Sequence, residues 1–420
     1  MAYSAPKGTK DVLPADSYKW HYLENILRST AERYGFRESR TPVIEHTELF
    51  LRSVGDTTDV VQKEMYTFTD KGNRSITLKP EGTAGTVRMF VESGMFNDAM
   101  PMKTYYLNCP VFRYEKPQAG RLREHHQFGV EMFGAPLPSA DAEIISLAWD
   151  IYSQLGADKL TVKLNSIGCP KCRNNYQEAL KQYLSLHEAD LCETCRDRLK
   201  TNPLRVLDCK VESCKKINEN APHTIDYVCD ECKTHLDKVQ EYLTATGIPY
   251  EIDPLLVRGL DYYTKTVFEI VSGKEGAQGT LCGGGRYDCL VKQIGGPDLA
   301  GIGFGMGMER LLLYLDQIGA VIPEPSRYDL LLFGVSDREK TVCYTLSQQL
   351  RGLGLKTDID SVGRSVKANM KYAGKVAARY VLIVGEDELK TNTCNLKSLT
   401  DGVITPLALD ARAIADFINN

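Results

Sequence analysis

Four stretches of this 420-residue chain have residue types and spacings that could do chemistry. Residues 112–123 place Arg113, Lys116, Arg121 and Arg123 around a turn marked by Pro117 and Gly120. Two strands flanking that turn would aim several cations at one anionic ligand, because a planar guanidinium grips phosphate oxygens bidentately. The same composition also suits a solvated hairpin tip. The run Gly301-Ile302-Gly303-Phe304-Gly305-Met306-Gly307 puts four glycines on one face of a strand and leads to Arg310. Glycine weakens a strand interior, so either a flat ligand such as adenine or a closely packed helix must approach that backbone. Residues 256–263 gather Arg258, Asp261, Tyr262 and Tyr263 in an otherwise apolar stretch, either a pocket lining or a strand end with core tyrosines. Cys282-Gly283-Gly284-Gly285-Arg286-Tyr287-Asp288 reads as a turn, or as backbone that opens space for a ligand.

Cysteine usage adds a separate signal. Eight of the 13 cysteines form Cys169-x2-Cys172, Cys192-x2-Cys195, Cys209-x4-Cys214 and Cys229-x2-Cys232. Three C-x2-C pairs in one short stretch suit tetrahedral zinc, enough for one or two four-cysteine sites, with reduced structural thiols as the alternative. Spacing does not decide which pairs join. The N-terminal residues have no apolar leader, so metal or free thiols are favoured over disulfides and a cytoplasmic location is expected.

These residues need elements to position them. Trp20, Leu23, Leu27, Ala31 and Tyr34 recur at spacings of 3, 4, 4 and 3, the apolar face of a helix begun near Asp16 or Ser17 and closed by Gly35. A β-type stretch follows at 42–44. Further strand patterns fall at 103–107, 111–114, 127–133, 160–164, 267–271 and 301–307, without regular βαβ alternation. The fold expected is α+β: an antiparallel-sheet core carrying helices over 1–167 and 241–322, interrupted by a Cys-rich helical module at 168–240. A Pro-rich linker at 323–326 leads to a small α/β domain at 327–420. There a strand at 328–335, a helix at 341–353, and strands at 356–359 and 380–384 predict a mostly parallel sheet. In this last domain Arg364, Lys367, Lys371, Lys375 and Arg379 follow at spacings of 3, 4, 4 and 4, with no acidic residue between 361 and 380. That is a basic stripe suited to an RNA backbone, or a solvated helix face.

Composition narrows the classes. At 43% hydrophobic and 25% charged residues the chain is an ordinary globular protein, not a disordered or fibrous one. No apolar run approaches the roughly 18 residues of a membrane span. A net charge of −4 means that any nucleic-acid surface is a local patch. No G-x-x-x-x-G-K-[ST], G-x-G-x-x-G or H-E-x-x-H is present, so nucleotide chemistry must rest on side-chain cations.

The ordered set of segments resembles a known family. Arg113-Tyr114-Glu115 with the Arg121 loop and Glu131 is similar to the second motif of class II aminoacyl-tRNA synthetases, and 305–310 to the third. Residues 256–263 and 283–288 resemble two segments peculiar to histidyl-tRNA synthetases. Lys79-Pro80-Glu81-Gly82-Thr83 resembles that family's amino-acid loop and residues 7–11 its opening, so the likeness covers nearly the whole chain.

The resemblance implies that histidine and ATP form histidyl-adenylate, and that the histidyl group then passes to the terminal adenosine of tRNA(His). It assigns Arg113 and Arg258 to the α-phosphate, the latter where related enzymes place a metal ion. Arg121 and Arg123 fall to the β- and γ-phosphates, His125 and Arg310 to the adenine, and magnesium accompanies ATP. It assigns Glu131 and Tyr263 to the two imidazole nitrogens, Tyr262 and Tyr287 to the pocket wall, and Glu81, Thr83 and Gln127 to the α-ammonium. Gln118 and Lys116 would meet the acceptor end of tRNA, and the last domain the anticodon. His125 stands where the family often has Phe, and Lys116 where it often has Arg. Family members are homodimers, and residues 40–50 loosely match the interfacial first motif. The regulatory subunit of ATP phosphoribosyltransferase, a non-catalytic relative, resembles the same core but lacks the anticodon domain. Here Arg113, Arg258 and Arg310 are all present and about 90 residues follow the linker, which favours the enzyme.

Overall fold

Burial at four-residue spacing organises the first helix, Ser17–Arg33, in which Leu23, Leu27 and Ala31 are wholly inaccessible and pack on the central sheet. Gly35, at φ +80°, turns the chain out of it. The structure is a computed structural model that describes residues 3–55, 58–207, 209, 211–273 and 279–419. By contacts the chain forms two units, Met1–Ile322 and Pro323–Asn420.

In the first unit, β1 (Arg37–Glu38) begins the central sheet, while β2 (Ile44–His46), β3 (Tyr66–Thr69) and β4 (Ser75–Leu78) form a small separate sheet. β5 (Met102–Phe112), β6 (Glu124–Phe133), β7 (Leu160–Ser166), β8 (Tyr250–Ile252), β9 (Thr264–Ser272), β10 (Thr280–Arg286) and β11 (Gly301–Gly307) complete the eight-stranded sheet in the order β1-β5-β6-β11-β10-β9-β7-β8. Its six central strands are antiparallel, and β1 and β8 add in parallel at the edges.

Two local expectations change. The separate strands at 103–107 and 111–114 are one strand, β5, whose register shifts between Tyr106 and Cys109 with Asn108 at φ +51°. An inserted residue bends a strand without ending it, so a polar interruption in the pattern marks a bulge here. Residues 283–285, read as a turn or as opened backbone, are the middle of β10, with Gly283 opposite Gly305 on one side and Glu269 on the other. Ladders on both edges hold glycines that have little strand preference of their own.

The helices Pro170–Leu186, Glu193–Thr201, Leu204–Leu207 and Glu212–Asn218 build a small core of their own from Tyr176, Leu180, Leu184, Leu199, Val206 and Ile217. The next helix, Asp230–Ala245, buries Leu236, Val239 and Leu243 in the main core. His235 on that helix meets Asp141 of the helix Pro138–Gln154 at 3.1 Å. Asp141 also pairs with Arg286 at the end of β10, both fully buried, and Arg286 gives further hydrogen bonds to the carbonyls of Ala135 and Leu137.

In the second unit β12 (Leu330–Gly334), β13 (Thr357–Ile359), β14 (Tyr380–Val384), β15 (Thr393–Ser398) and β16 (Ile404–Ala408) lie in the order β13-β12-β14-β15-β16. The first three are parallel; β15 and β16 add antiparallel, so the sheet is mixed. A parallel crossover needs a dozen or more residues, and the short 399–403 link leaves only a hairpin. No helix among the described residues is long and apolar enough to cross a membrane.

Replacing Asp141 by Ala leaves Arg286 buried without its carboxylate. The expected cost is about 3–5 kcal/mol of stability, read by urea unfolding of the full chain. A loss under about 1 kcal/mol would contradict this role for the pair.

Candidate active site

The open face of the central sheet carries a cavity of about 630 Å³, within the size range of ligand pockets. Arg113, Arg121, Arg258 and Arg310 all line it, together with Glu115, Glu269, His125, Gln127, Gly283, Gly305 and Gly307. Three chain segments far apart in sequence, the β5–β6 connection with Arg113 and Arg121, the stretch with Arg258 and the helix with Arg310, thus deliver four guanidiniums to one space. Arg113 follows β5 and donates Nε to the Pro80 carbonyl at 2.8 Å. Arg310 sits in the first turn of the helix Met308–Ile318 and donates Nη1 to the Thr280 carbonyl at 2.7 Å. Arg121 pairs with Glu115, and Arg258 with Glu269, which also accepts the Thr280 hydroxyl at 2.9 Å. Among the described residues no carboxylate pairs with Arg113 or Arg310. Burial and the nearby charge of Arg121 lower the Arg310 pKa; for Arg258 burial also pulls downward, but Glu269 and Tyr263 together raise it.

His125 stands between these cations. Burial, then the charge of Arg113, push it down to about 4, so it is neutral at pH 7 and presents an uncharged ring. Arg123 is not part of the cavity lining: its guanidinium lies 4.0 Å from the Tyr114 ring centre and its Nε donates to the Glu115 carbonyl at 3.0 Å. The turn at Gln118, closed by paired bonds of 2.9 and 3.0 Å with Arg121, separates this cavity from a second one of about 380 Å³ that Gln118 lines with Lys10, Trp20 and Glu309.

Behind Gln127 lies a closed polar cluster. The Gln127 side-chain carbonyl accepts the Gly82 amide at 3.2 Å. Glu81 is buried, and its two oxygens accept the amides of Thr83 and Ala84, both at 2.7 Å, at the start of the helix Thr83–Glu92. Glu131, on β6, is wholly buried and accepts the hydroxyls of Tyr287 and, at 3.3 Å, Tyr106. Burial pushes the Glu131 carboxyl up to about 8; the hydroxyls of Tyr287, Thr83 and Tyr106 only partly offset this. The Tyr262 and Tyr263 rings lie tilted with centres 4.7 Å apart, and Tyr262 meets Tyr287 edge-on at 5.7 Å. Burial raises all these phenols, which therefore remain hydroxyl donors at neutral pH.

The glycine strand splits its duties. A side chain on Gly301 would strike Tyr287 and one on Gly303 would strike Glu131, so these two make room for the protein's own polar cluster. A first side-chain carbon at Gly305 or Gly307 would make only ordinary contacts, with Gln127 and Tyr106 or with Arg310, and both glycines face the cavity. Close packing thus holds for Gly301 and Gly303, though against side chains on or next to neighbouring strands and not a helix, while Gly305 and Gly307 line the cavity.

Two functional partners escaped the sequence reading. Glu269 was legible, as a lone acid in the apolar run Val267-Phe268-Glu269-Ile270-Val271. Tyr106 gave no signal beyond its place in a strand. The stripe in the second unit also differs from expectation. Lys367, Lys371 and Lys375 are exposed on the helix Val366–Lys375, but Arg364 pairs with Asp360 at 2.9 Å and Arg379 with Asp329 at 3.2 Å. Asp329 is distant in sequence and Asp360 lies directly before the stretch that lacks acidic residues. The cysteines fall into two groups that could hold a metal ion, Cys169, Cys172, Cys229, Cys232 and Cys192, Cys195, Cys209, Cys214.

Four arginines facing one cavity on an antiparallel sheet, beside a buried carboxyl–phenol cluster, form an arrangement that suits the class II aminoacyl-tRNA synthetases. A family model described as "Histidyl-tRNA synthetase" matches residues 8–311, and one described as "Anticodon binding domain" matches 329–415. The chain is 54% identical over 410 residues to a histidine–tRNA ligase of Caldanaerobacter subterraneus, covering 98% of each. It is 54% identical over 402 residues to one of Clostridium botulinum, covering 96% of each. It superposes on the apo histidyl-tRNA synthetase of S. aureus with a TM-score of 0.85 at 38% identity, over all of both chains. The chain belongs to the histidyl-tRNA synthetase family and attaches histidine to tRNA. The regulatory-subunit alternative is not favoured: a structure titled ATP phosphoribosyltransferase regulatory subunit/histidyl-tRNA synthetase, from Bacillus halodurans, is 20% identical and shares the fold alone.

Because the Glu131 pKa is raised, folding takes up a proton. Its contribution to stability is full below the ordinary value of 4.5 and is lost as pH climbs to about 8. Glu131→Gln, which cannot ionise, should therefore gain thermal stability on the parent as pH rises through that window. Melting curves of both proteins at a series of pH values check this; a constant difference would sink it.

Proposed function

We propose that the cavity binds ATP and the closed cluster binds histidine, with Gln127 at the junction. Histidine's carboxylate attacks the α-phosphorus, pyrophosphate leaves, and the terminal adenosine hydroxyl of tRNA then takes the histidyl group. No covalent enzyme nucleophile is required, so the side chains act by positioning and charge. The observation that carries this reading is the convergence of Arg113, Arg121, Arg258 and Arg310 on one cavity directly beside a buried carboxyl–phenol cluster.

Arg113 and Arg258 hold the α-phosphate, and Arg121 and Arg123 the outer phosphates, Arg123 by swinging off the Tyr114 ring. The neutral His125 ring and Arg310 stack on adenine. Glu131 and the phenols of Tyr263 and Tyr287 offer both donor and acceptor to imidazole, with Tyr262 as pocket wall. Glu81, Thr83 and Gln127 take the α-ammonium; each Glu81 oxygen already accepts one amide and has a lone pair left. A buried site of this kind rejects analogues lacking the hydrogen bond by about 10⁴–10⁵, so no editing step is needed. Glu115 and Glu309, hard oxygen donors in the cavity lining, fit a magnesium ion carried with ATP. Magnesium supplies charge neutralisation for the departing pyrophosphate.

The first unit is the catalytic core with the Cys-rich module at 168–240, which holds structural zinc; residues 327–420 bind the anticodon, and Gln118 meets the acceptor end. The protein works as a cytoplasmic homodimer, as the family does.

Pyrophosphate exchange with each of the twenty amino acids tests the reading: only histidine should support it, and Arg258→Ala should lower kcat by about 10²–10³. Exchange with a different amino acid, or an undiminished variant, refutes it. Changing Lys367, Lys371 and Lys375 together to Ala should weaken tRNA binding and reduce its salt slope by up to about three, while leaving exchange intact. Filter binding at several salt concentrations reads the first, and the exchange assay the second.

A further inference from the structure

The two cysteine groups lie where they can act on the active site. Cys169 follows β7 and Cys172 opens the helix Pro170–Leu186; they meet Cys229 and Cys232 at the start of Asp230–Ala245. Cys192 and Cys195 meet Cys209 and Cys214. Within each group all four sulfurs lie within 4.8 Å of one another. Sγ–Sγ distances are 3.6 Å for Cys169–Cys172, 3.9 Å for Cys172–Cys232 and 3.9 Å for Cys192–Cys209. A disulfide would need about 2.05 Å. Four sulfurs about 2.3 Å from a tetrahedral zinc stand about 3.8 Å apart. Backbone amides also point at the sulfurs: Cys229 to Cys172 at 3.0 Å, Cys192 to Cys214 at 3.3 Å and Val211 to Cys209 at 3.5 Å. Such donors stabilise thiolate ligands.

One arginine adjoins each group. Arg173, directly after Cys172, donates Nη1 to the Asp261 carbonyl at 3.1 Å and Nη2 to the Tyr263 carbonyl at 2.7 Å. Arg205 lies on the short helix Leu204–Leu207 leading to Cys209. It donates to the carbonyls of Arg258 at 3.4 Å and Gly259 at 2.9 Å, and to the Asp261 carboxylate at 2.8 Å. Residues 253–263, between β8 and β9, contain no helix or strand, yet carry Arg258, Tyr262 and Tyr263. Asn165 holds the carbonyls of Pro254 and Leu256, and the two arginines hold four more.

We propose that each cysteine group binds one zinc ion and that the two sites form a clamp, fixing through Arg173 and Arg205 the loop that carries Arg258 and Tyr263. The role for this loop rests on the histidine-activation reading above. Zinc binding replaces thiol protons and changes no oxidation state. It locks the first turn of Pro170–Leu186 and the link between Glu193–Thr201 and Glu212–Asn218, so each arginine is held at its base. Arg173 and Arg205 are positioning residues, since they reach the loop backbone and Asp261, not the cavity-lining end of the Arg258 side chain.

Elemental analysis of the purified full chain should find two zinc ions per chain, and Cys169→Ser/Cys172→Ser or Cys192→Ser/Cys195→Ser should each leave one. If those variants fail to fold, zinc released from the unaltered chain by a mercurial and counted with a chromophoric chelator gives the number. Arg205→Ala should keep both ions, yet speed amide exchange across residues 256–263 at least tenfold and lower kcat of histidine-dependent exchange about tenfold, with KM for ATP little changed. Arg205→Lys should recover part of that loss. Arg173→Ala, bound nearer Tyr263, should act mainly on KM for histidine. No zinc, one zinc, or iron in its place overturns the two-site assignment. Unchanged loop exchange in both arginine variants overturns the clamp. If the unaltered protein shows no histidine-dependent exchange, histidine activation fails by itself, while metal count and amide exchange still decide the clamp.

Discussion

Four guanidinium groups sharing one cavity repel one another, and the rest of the catalytic unit answers to that repulsion. Arg121 and Arg258 are offset by Glu115 and Glu269, whereas Arg113 and Arg310 give one N–H each to a backbone carbonyl and no described carboxylate pairs with them. A site left net cationic in this way is unfavourable until a polyanion enters, and the charge of Arg113 adds to the burial that holds His125 neutral. Rigid anchoring is what prevents the arginines from relaxing away from one another.

The sheet supplies most of that anchoring. Six antiparallel central strands bring the ends of β5, β9, β10 and β11 together although they are up to two hundred residues apart in the chain. The glycines matter through what they leave out. Gly283 clears the space filled by the Arg258 guanidinium, Gly303 clears that filled by Glu131, and Gly305 leaves the cavity open. A buried carboxyl and several phenols behind this surface form a cluster that burial keeps protonated, so it offers donors and acceptors instead of fixed charge.

Much of the architecture was legible from pattern alone. The helix Ser17–Arg33, the strand Gly301–Gly307 and the parallel part of the second unit follow from periodicity, because each element's apolar positions report its own repeat. The bulge in β5 and the central position of β10 did not, since a polar interruption and a triple glycine read as turns unless neighbouring strands supply the ladders. At the site, residue types pointed to Arg113, Arg258 and Arg310 and the family resemblance to Glu131, but Tyr106 became visible only through its contact with Glu131.

The amino-acid sequence by itself determined the kinds of chemistry available: forked cations without a glycine cradle, a run of bare backbone, an acid and phenols in apolar surroundings, and thiols spaced for a metal. Those are properties of side chains and short spacings, which need no partner to be recognised. Tertiary structure alone decided which cations are neutralised, which glycines face the cavity and which face Tyr287, how the cysteine pairs join, and that Asp329 quiets the end of the lysine stripe. Each of these depends on the distance between groups remote in the chain, and Coulomb and hydrogen-bond energies are set by that distance, not by separation in sequence.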